Sequence, residues 1–194
     1  MPLSKDHKQK TRQRILDAAG VLFRERGYDG VAIDEIMAKA GLTRGGFYAH
    51  FASKADLFAK VLATEPAFTR MLAERQGTTR RDALNGALDV LATYLDPDNI
   101  GYVASSCPMV SMARDVDKGG PEARAALTKV AADLSALLKN AMADPDPARR
   151  DARALAVLAL CVGGVTIART AATPDIAARI LNACEAEAQR LLTE

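Results

Sequence analysis

A chain of 194 residues is long enough to bury one large or two small hydrophobic cores. With 49% hydrophobic and 26% charged residues it has the composition of a soluble globular protein, and its many alanines and 5% aromatics favour an all-α fold. The net charge of +2 is unevenly distributed, since residues 1–60 hold 11 Lys/Arg against 7 Asp/Glu and the remainder holds 15 against 17. A basic N-terminal part on a slightly acidic body suits binding to a polyanion.

Three cysteines at irregular spacing and two histidines form no pattern of metal ligands, so no metal and no cofactor is expected. The N-terminus is polar and basic and lacks the apolar core of a signal peptide. The most apolar run, residues 154–165, is too short to cross a bilayer and is soon followed by Arg169. The expected location is therefore the cytoplasm, without a membrane partner.

The first third of the chain predicts four helices separated by glycines and a cap. Apolar residues three and four apart indicate a helix over residues 8–26, which Gly27 ends. A second helix covers residues 33–39 and stops at Gly41, and a third covers residues 44–50. Ser53, with Asp56 three residues later, forms a capping box for a fourth helix, which is predicted over residues 54–75.

Beyond Gly77 the helical period continues without a strand pattern. Proline stands at the first turn of four of the five helices predicted here, where its missing N–H costs nothing. These helices are expected at residues 80–95, 108–116, 121–142, 147–171 and 174–192. The whole chain is therefore predicted to be all-α, with about nine helices.

The segment from Ile33 to His50 has the layout of a helix-turn-helix motif. One helix braces the motif and a second enters the major groove of DNA, with Gly41 allowing the tight turn and Leu42 and Phe47 facing inward. Arg44 can donate two hydrogen bonds to guanine. The residues expected on the groove side are Thr43, Arg44, Gly45, Tyr48 and His50, and Lys54 is placed to meet a phosphate at the start of the next helix.

These residues resemble the DNA-binding signature of the TetR family of transcriptional regulators. The resemblance covers about residues 10–62 and is strongest in ILDAAGVLFRERGYDG and AGLTRGGFYAHFASKADL. It implies that Thr43, Arg44 and Gly45 lie at base edges, and that Tyr48, His50 and Lys54 lie at or near phosphates. The sequence departs from the family pattern at the start of the second helix. Val31 and Ala32 stand there in place of a capping Ser or Thr, and nearby acidic residues are expected to compensate in part.

The resemblance also implies the organisation of the protein. A helix-turn-helix domain over residues 1–52 precedes a ligand-binding and dimerisation domain over residues 53–194, with helix 53–75 as the connector. A homodimer would read a palindromic operator in double-stranded DNA, and a ligand that shifts the connector would release it. Repression is the default role in the family.

The effector is expected to be a small apolar or aromatic molecule, because the helices around the family's ligand site carry adaptable apolar side chains here. The candidates that line this pocket are Phe68, Met71, Tyr94, Tyr102, Cys107, Met109 and Met112. Cys107 is also interpreted as a helix-start thiol, which raises a second hypothesis of a thiol-based sensor or ligand-binding scaffold that has weak or lost sequence-specific DNA binding.

The last two helices carry broad apolar faces that would be exposed in a monomer, and the resemblance assigns them to a homodimer interface. The candidates for this interface are Leu155, Leu158, Val162, Val165, Ile176, Ile180 and Leu191. Gly163 and Gly164 would allow helices to approach closely. No nucleophile–base pair, paired carboxylates or phosphate loop is recognisable, so the chain is not expected to be an enzyme.

Overall fold

The computed structural model describes residues 5–64 and 66–194, apart from the side chains of Lys5 and Ala104. This part of the chain is all-α, with ten α-helices and three short 3-10 helices and no strand. The helices of the first half are α1 (Lys5–Arg26), α2 (Ile33–Lys39), the 3-10 helix Arg44–Ala49, α3 (Lys54–Leu62), α4 (Ala67–Glu74) and α5 (Arg80–Leu95). Those of the second half are the 3-10 helix Pro97–Asn99, α6 (Ile100–Ser106), α7 (Pro108–Ser111), the 3-10 helix Ala113–Gly119, α8 (Gly120–Lys139), α9 (Pro147–Ala168) and α10 (Pro174–Thr193).

The helix predicted over residues 54–75 is wrong, because α3 ends at Leu62 and α4 begins at Ala67. Pro66 lies at the N-cap of α4, with φ −65° and ψ 148°. A proline has no N–H to donate to the preceding turn, so a helix that begins at Lys54 cannot continue through Pro66 with its hydrogen bonds intact. The expected one-piece connector 53–75 is therefore two helices.

By packing, the described residues form two compact units. The N-terminal unit contains the residues up to Thr64 together with Ser111–Thr128, and the C-terminal unit contains Pro66–Val110 together with Lys129–Glu194. The predicted boundary after residue 52 falls inside the N-terminal unit, because α3 and the 3-10 helix Ala113–Gly119 pack together there.

Aromatic rings and one methionine from a distant part of the chain join the aliphatic residues in the core of the N-terminal unit. The ring centroid of Phe58 lies 5.1 Å from that of Phe23 and 5.2 Å from that of Tyr28, both in edge-to-face geometry. Met112, from the inserted segment, is completely buried in the same core. Residues that follow the helix-turn-helix motif by more than 50 positions thus complete its hydrophobic core.

In the C-terminal unit, α5, α9 and α10 pack around one core. Gly164 allows the close contact between α9 and α10, since a Cβ atom at this position would lie 2.9 Å from the sulfur of Cys184. Gly163, by contrast, has open space where its Cβ would be. The expectation that these glycines permit close helix approach is confirmed for Gly164 within the chain itself.

Candidate DNA-binding site and ligand cavity

The turn of the motif is fixed by Gly41, whose positive φ of 66° suits glycine. The N–H of Leu42 donates to the carbonyl of Met37 over 2.9 Å, which closes the end of α2. Phe47 is completely buried and Leu42 is half-buried against the same core. These two side chains hold the 3-10 helix Arg44–Ala49, hereafter the recognition helix, against α2.

One face of the recognition helix is open to solvent. Thr43, Arg44, Gly45 and Tyr48 are all exposed, and the Tyr48 side chain is 63% exposed although it is aromatic. A Cβ at Gly45 would meet no protein atom within 4 Å, so internal packing does not require a glycine there. A side chain at this position would extend into the solvent, which means that glycine leaves room for an outside molecule to approach the backbone.

The N-termini of α2 and of the recognition helix lack side-chain caps. Thr43 occupies the N-cap position of the recognition helix, but its side chain makes no capping hydrogen bond. Ala32 occupies the N-cap position of α2 and has no side-chain group that could cap the helix, as the sequence indicated. Glu35 compensates, because its carboxylate accepts the N–H of Ala32 over 2.7 Å and pairs with Arg26. These contacts lower the pKa of Glu35, with the hydrogen bond from Arg26 contributing most.

Arg44 does not extend freely into solvent in the structure. Its Nη1 donates to Oδ2 of Asp34 on α2 over 2.8 Å, and the two side chains are 67% and 57% exposed respectively. This bond spans the turn of the motif and joins the supporting helix to the first residue of the recognition helix.

Lys54 is half-buried and bound internally. Its Nζ donates to the carbonyl of Val31 over 2.8 Å and lies 4.3 Å from the ring centroid of Tyr28. Ser53 caps α3 as predicted, since the N–H of Asp56 donates to its hydroxyl oxygen over 3.0 Å. The carboxylate of Asp56 accepts the N–H of Ala52 rather than that of Ser53, so the reciprocal bond of the predicted capping box is replaced by a bond to the preceding residue. Lys54 therefore stabilises the loop before α2, a role that sequence reasoning missed.

His50, at the end of the recognition helix, is half-buried, and its Nδ1 atom has no hydrogen-bond partner in the described structure. Burial, followed by the positive charges of Lys8 and Arg12 on α1, lowers the pKa of this histidine. Arg12 also lies 4.9 Å above the ring of Phe51. The basic residues at the start of the chain are thus on a helix beside the recognition helix.

The C-terminal unit contains an apolar cavity of about 50 Å³. Its wall carries no charged side chain, and one hydroxyl, that of Tyr94, is its distinctive polar group. This hydroxyl has no nitrogen or oxygen partner among the described residues. Burial, followed by the neighbouring thiol of Cys107, raises the pKa of Tyr94. The phenol therefore stays neutral and can donate a hydrogen bond to a ligand.

The structure brings four of the seven predicted pocket residues to this cavity, namely Phe68, Tyr94, Cys107 and Met109. Met71 packs half-buried against the core without lining the cavity, and Tyr102 is 53% exposed. Met112 was assigned to the pocket as an adaptable apolar residue on the helices around the family's ligand site, but it is buried in the N-terminal unit. Sequence reasoning did not assign the rest of the cavity wall, which lies on α4, α5, α8 and α9. The apolar periodicity of these helices is the signal that could have identified it. This part of the wall includes Leu72, Leu91, Leu134, Leu138, Val157 and Cys161.

Cys107 follows α6 directly, as its C-cap, and precedes the four-residue helix α7. Its side chain is 3% exposed and lines the cavity. At Cys161 in the same wall, burial, followed by the charges of Cys107 and Cys184, raises the thiol pKa. An apolar wall of this kind does not favour a thiolate, so the sensor role of Cys107 stays a hypothesis.

The last two helices expose apolar side chains. Leu155, Ile167 and Ile176 are 49%, 58% and 41% exposed. Helix α9 is long and apolar enough to cross a membrane by length and composition alone, and 28% of its most apolar window is buried. Val165, one of the predicted interface residues, is completely buried within the chain and cannot contact a partner. The other four predicted residues, Leu158, Val162, Ile180 and Leu191, are half-buried, and Leu158 also lines the cavity.

Helix α2, the turn at Gly41 and the exposed recognition helix define a helix-turn-helix protein, and the described chain is otherwise all-α. Residues 15–61 match the sequence model of the family described as bacterial regulatory proteins, tetR family. The TetC protein of transposon Tn10 from Escherichia coli is 36% identical over 100 residues, which cover 48% of this chain and 49% of TetC. The repressor Rv1474c of Mycobacterium tuberculosis is 29% identical over 135 residues, covering 68% of this chain and 67% of the relative.

The similarity extends through both units at the level of the fold. The crystal structure of a TetR transcriptional regulator from Chloroflexus aurantiacus superimposes with a TM-score of 0.69 and 27% identity, covering 92% of this chain and 94% of that one. The part of the chain that matches the tetR family of bacterial regulatory proteins is residues 15–61. The chain spans about half the length of TetC.

Proposed function

We propose that the protein is a transcriptional repressor that binds a palindromic DNA operator as a homodimer and leaves it when a small neutral molecule occupies the cavity. The observation that carries the DNA-binding role is the open face of the recognition helix. It combines an arginine, a threonine without a capping bond, an exposed tyrosine and a glycine whose outer side is empty. Arginine can pair with guanine, and tyrosine can bind a phosphate oxygen.

The homodimer is supported by the outward side of α9 and α10. Only 28% of the most apolar window of α9 is buried within the chain. A large exposed apolar surface of this kind is typical of a protein–protein interface. The open space at Gly163 lies on the same helix and would admit a closely packed helix from a second copy. Such a dimer is symmetric, so its two recognition helices would read two half-sites about 34–36 Å apart on successive major grooves. A regulator of this kind acts in the cytoplasm and is not an enzyme.

The ligand is supported by the chemistry of the cavity wall. Burying a charge without a partner costs much more free energy than an apolar pocket returns, so the molecule bound here is neutral. A cavity of about 50 Å³ is smaller than the roughly 150 Å³ void that accepts benzene in an engineered protein. Binding must therefore displace wall residues such as Met109, whose flexible thioether side chain adapts easily. This displacement is the conformational change that a ligand-released repressor requires.

Selection of duplexes from a random DNA pool tests the DNA-binding role. The purified protein is expected to enrich a palindromic sequence. Its affinity for this sequence should fall with rising salt concentration and should also be lowered by Arg44→Ala. Small neutral aromatic compounds are then screened for release of the enriched duplex. Failure to enrich any sequence would contradict the regulator, whereas an enriched sequence that no neutral compound releases would contradict the proposed effector.

A further inference from the structure

The ion pair between Asp34 and Arg44 places a carboxylate on the side of the motif that faces DNA in the proposed function. Asp34 lies in the first turn of α2, and its Oδ2 accepts Nη1 of Arg44 over 2.8 Å. Its neighbour Glu35 completes the cap of α2, so capping is already provided without Asp34. An exposed carboxylate near the phosphates opposes DNA binding electrostatically, and its presence at this position calls for a compensating role.

The geometry of the guanidinium indicates that role. A guanidinium has five N–H donors in one plane, and a hydrogen bond to Nη1 leaves the edge formed by Nε and Nη2 unused. This remaining edge matches O6 and N7 of guanine as a bidentate donor. Asp34 can therefore keep its bond to Arg44 while Arg44 contacts a base.

The recognition helix needs such support at its first residue. Thr43 provides no side-chain cap, and the two residues after Arg44 are glycines, which weaken a helix by roughly 1 kcal/mol each relative to alanine. Neither Gly45 nor Gly46 has a positive φ, and an added Cβ at Gly46 would make only an ordinary contact of 3.6 Å with Met37. Without a second anchor, the long side chain of Arg44 would sample many rotamers before it met a base.

We propose that Asp34 is a specificity-determining residue that orients Arg44 for one guanine and discourages binding to DNA that lacks this guanine. On the matching sequence, the oriented arginine offsets the repulsion between Asp34 and the phosphates. On DNA that lacks this guanine, the repulsion between Asp34 and the phosphates remains but the contact between Arg44 and guanine does not form. The inference rests on the proposed function, since it requires that the recognition helix reads DNA.

The test compares Asp34→Asn with Asp17→Asn in the full-length protein. Both substitutions remove one negative charge from the N-terminal unit, but Asp17 hydrogen-bonds to Gln13 on α1 and lies away from Arg44 in sequence and contacts. Affinities are measured for the duplex enriched by the wild type and for a scrambled duplex at the same salt concentration. Asp34→Asn is expected to lower the ratio of the two affinities about tenfold, which is within the range of one bidentate arginine–guanine contact.

Two further readouts separate orientation from a general effect on charge or folding. Duplex selection repeated with Asp34→Asn should relax the base preference at the one position that Arg44→Ala also relaxes. In the Arg44→Ala background, Asp34→Asn should leave the affinity ratio unchanged. An affinity ratio that responds equally to Asp34→Asn and Asp17→Asn would overturn the inference while leaving the regulator intact. Failure of the wild type to enrich any sequence would overturn both.

Discussion

Met109 and Met112 are three residues apart in the chain but belong to two different hydrophobic cores. Met109 lines the cavity of the C-terminal unit, and Met112 is completely buried in the core of the N-terminal unit. The chain therefore passes from the C-terminal unit to the N-terminal unit between these two methionines.

The two methionines should differ in their contribution to stability. Met112→Ala removes a fully buried side chain and is expected to lower the free energy of unfolding by about 2–5 kcal/mol. Met109→Ala should cost less, since this residue is half-buried beside a pre-existing cavity. Urea denaturation followed by circular dichroism measures both. Equal losses for the two variants would contradict this assignment of Met112 to a well-packed core.

Asp115 should stabilise the N-terminal unit in a pH-dependent manner. Burial raises the pKa of this carboxyl, but the hydrogen bonds from the Tyr28 N–H and Lys118, aided by the positive charges of Lys118 and Arg114, outweigh burial and lower it overall. Because the folded-state pKa is lowered, the stabilisation is present above the unfolded-state pKa of about 3.9 and is lost as the pH falls through the folded-state value.

Asp115→Asn tests this contribution without changing the size of the side chain. At pH 7 it is expected to lower the free energy of unfolding by about 1–3 kcal/mol, and this difference should shrink as the pH falls below about 4. Asp117→Asn in the same 3-10 helix is the control, since Asp117 is 72% exposed in its ion pair with Arg124 and should contribute less than about 1 kcal/mol. A pH-independent difference for Asp115→Asn would show that the charge is not responsible.

Lys54 and Arg44 are both predicted DNA contacts, but they should behave differently without DNA. Lys54→Ala removes the hydrogen bond to Val31 and the contact with Tyr28, so it is expected to lower the melting temperature by several degrees, corresponding to about 1–2 kcal/mol. Arg44→Ala should leave the melting temperature nearly unchanged, since its partner Asp34 is exposed. Thermal unfolding of the two variants in the absence of DNA makes the comparison. If Lys54→Ala had the melting temperature of the wild type, the structural role of Lys54 would be contradicted and DNA binding would be its only proposed role.

The contrast between these two residues shows what the sequence could establish. Local patterns predicted the turn at Gly41, the buried Phe47 and the N-cap at Ser53, because each of these depends on residues a few positions apart. The ion pair of Arg44 with Asp34 and the contact of Lys54 with Val31 join residues 10 and 23 positions apart. Such pairs depend on how the helices cross, which the periodicity of a single helix does not specify. The same limit explains why Met112 was assigned to the pocket rather than to the N-terminal core.

Tyr94 should select the polar group of the ligand. Tyr94→Phe removes a buried hydroxyl that has no nitrogen or oxygen partner and that interacts with the thiol of Cys107, a weak hydrogen-bonding group, so it is expected to change the free energy of unfolding without ligand by less than about 1 kcal/mol. Acetophenone and ethylbenzene form a matched pair of neutral probes, because they differ mainly in a carbonyl that can accept the hydrogen bond. The wild type should be stabilised more by acetophenone, by about 0.5–1.5 kcal/mol of binding free energy, and Tyr94→Phe should lose this preference. Ligand-induced shifts in melting temperature measure both, and an unchanged preference in Tyr94→Phe would exclude its hydroxyl as the anchor.

The exposed apolar side of α9 should hold the homodimer together. Ile167 is 58% exposed, and Ile167→Asp would place an unpaired charge in the interface, which is expected to shift the protein from dimer to monomer at micromolar concentration. Val21→Asp is the matched control, since Val21 is an exposed apolar residue on α1 in the other unit and its replacement should leave the dimer intact. Size-exclusion chromatography with light scattering gives the masses directly.

Because the two half-sites of a palindrome are read together, the monomeric variant should also lose most of its affinity for the full operator while keeping its weak affinity for a single half-site. A wild-type protein that is already monomeric would contradict the homodimer. A dimer that neither variant disrupts would place the interface elsewhere.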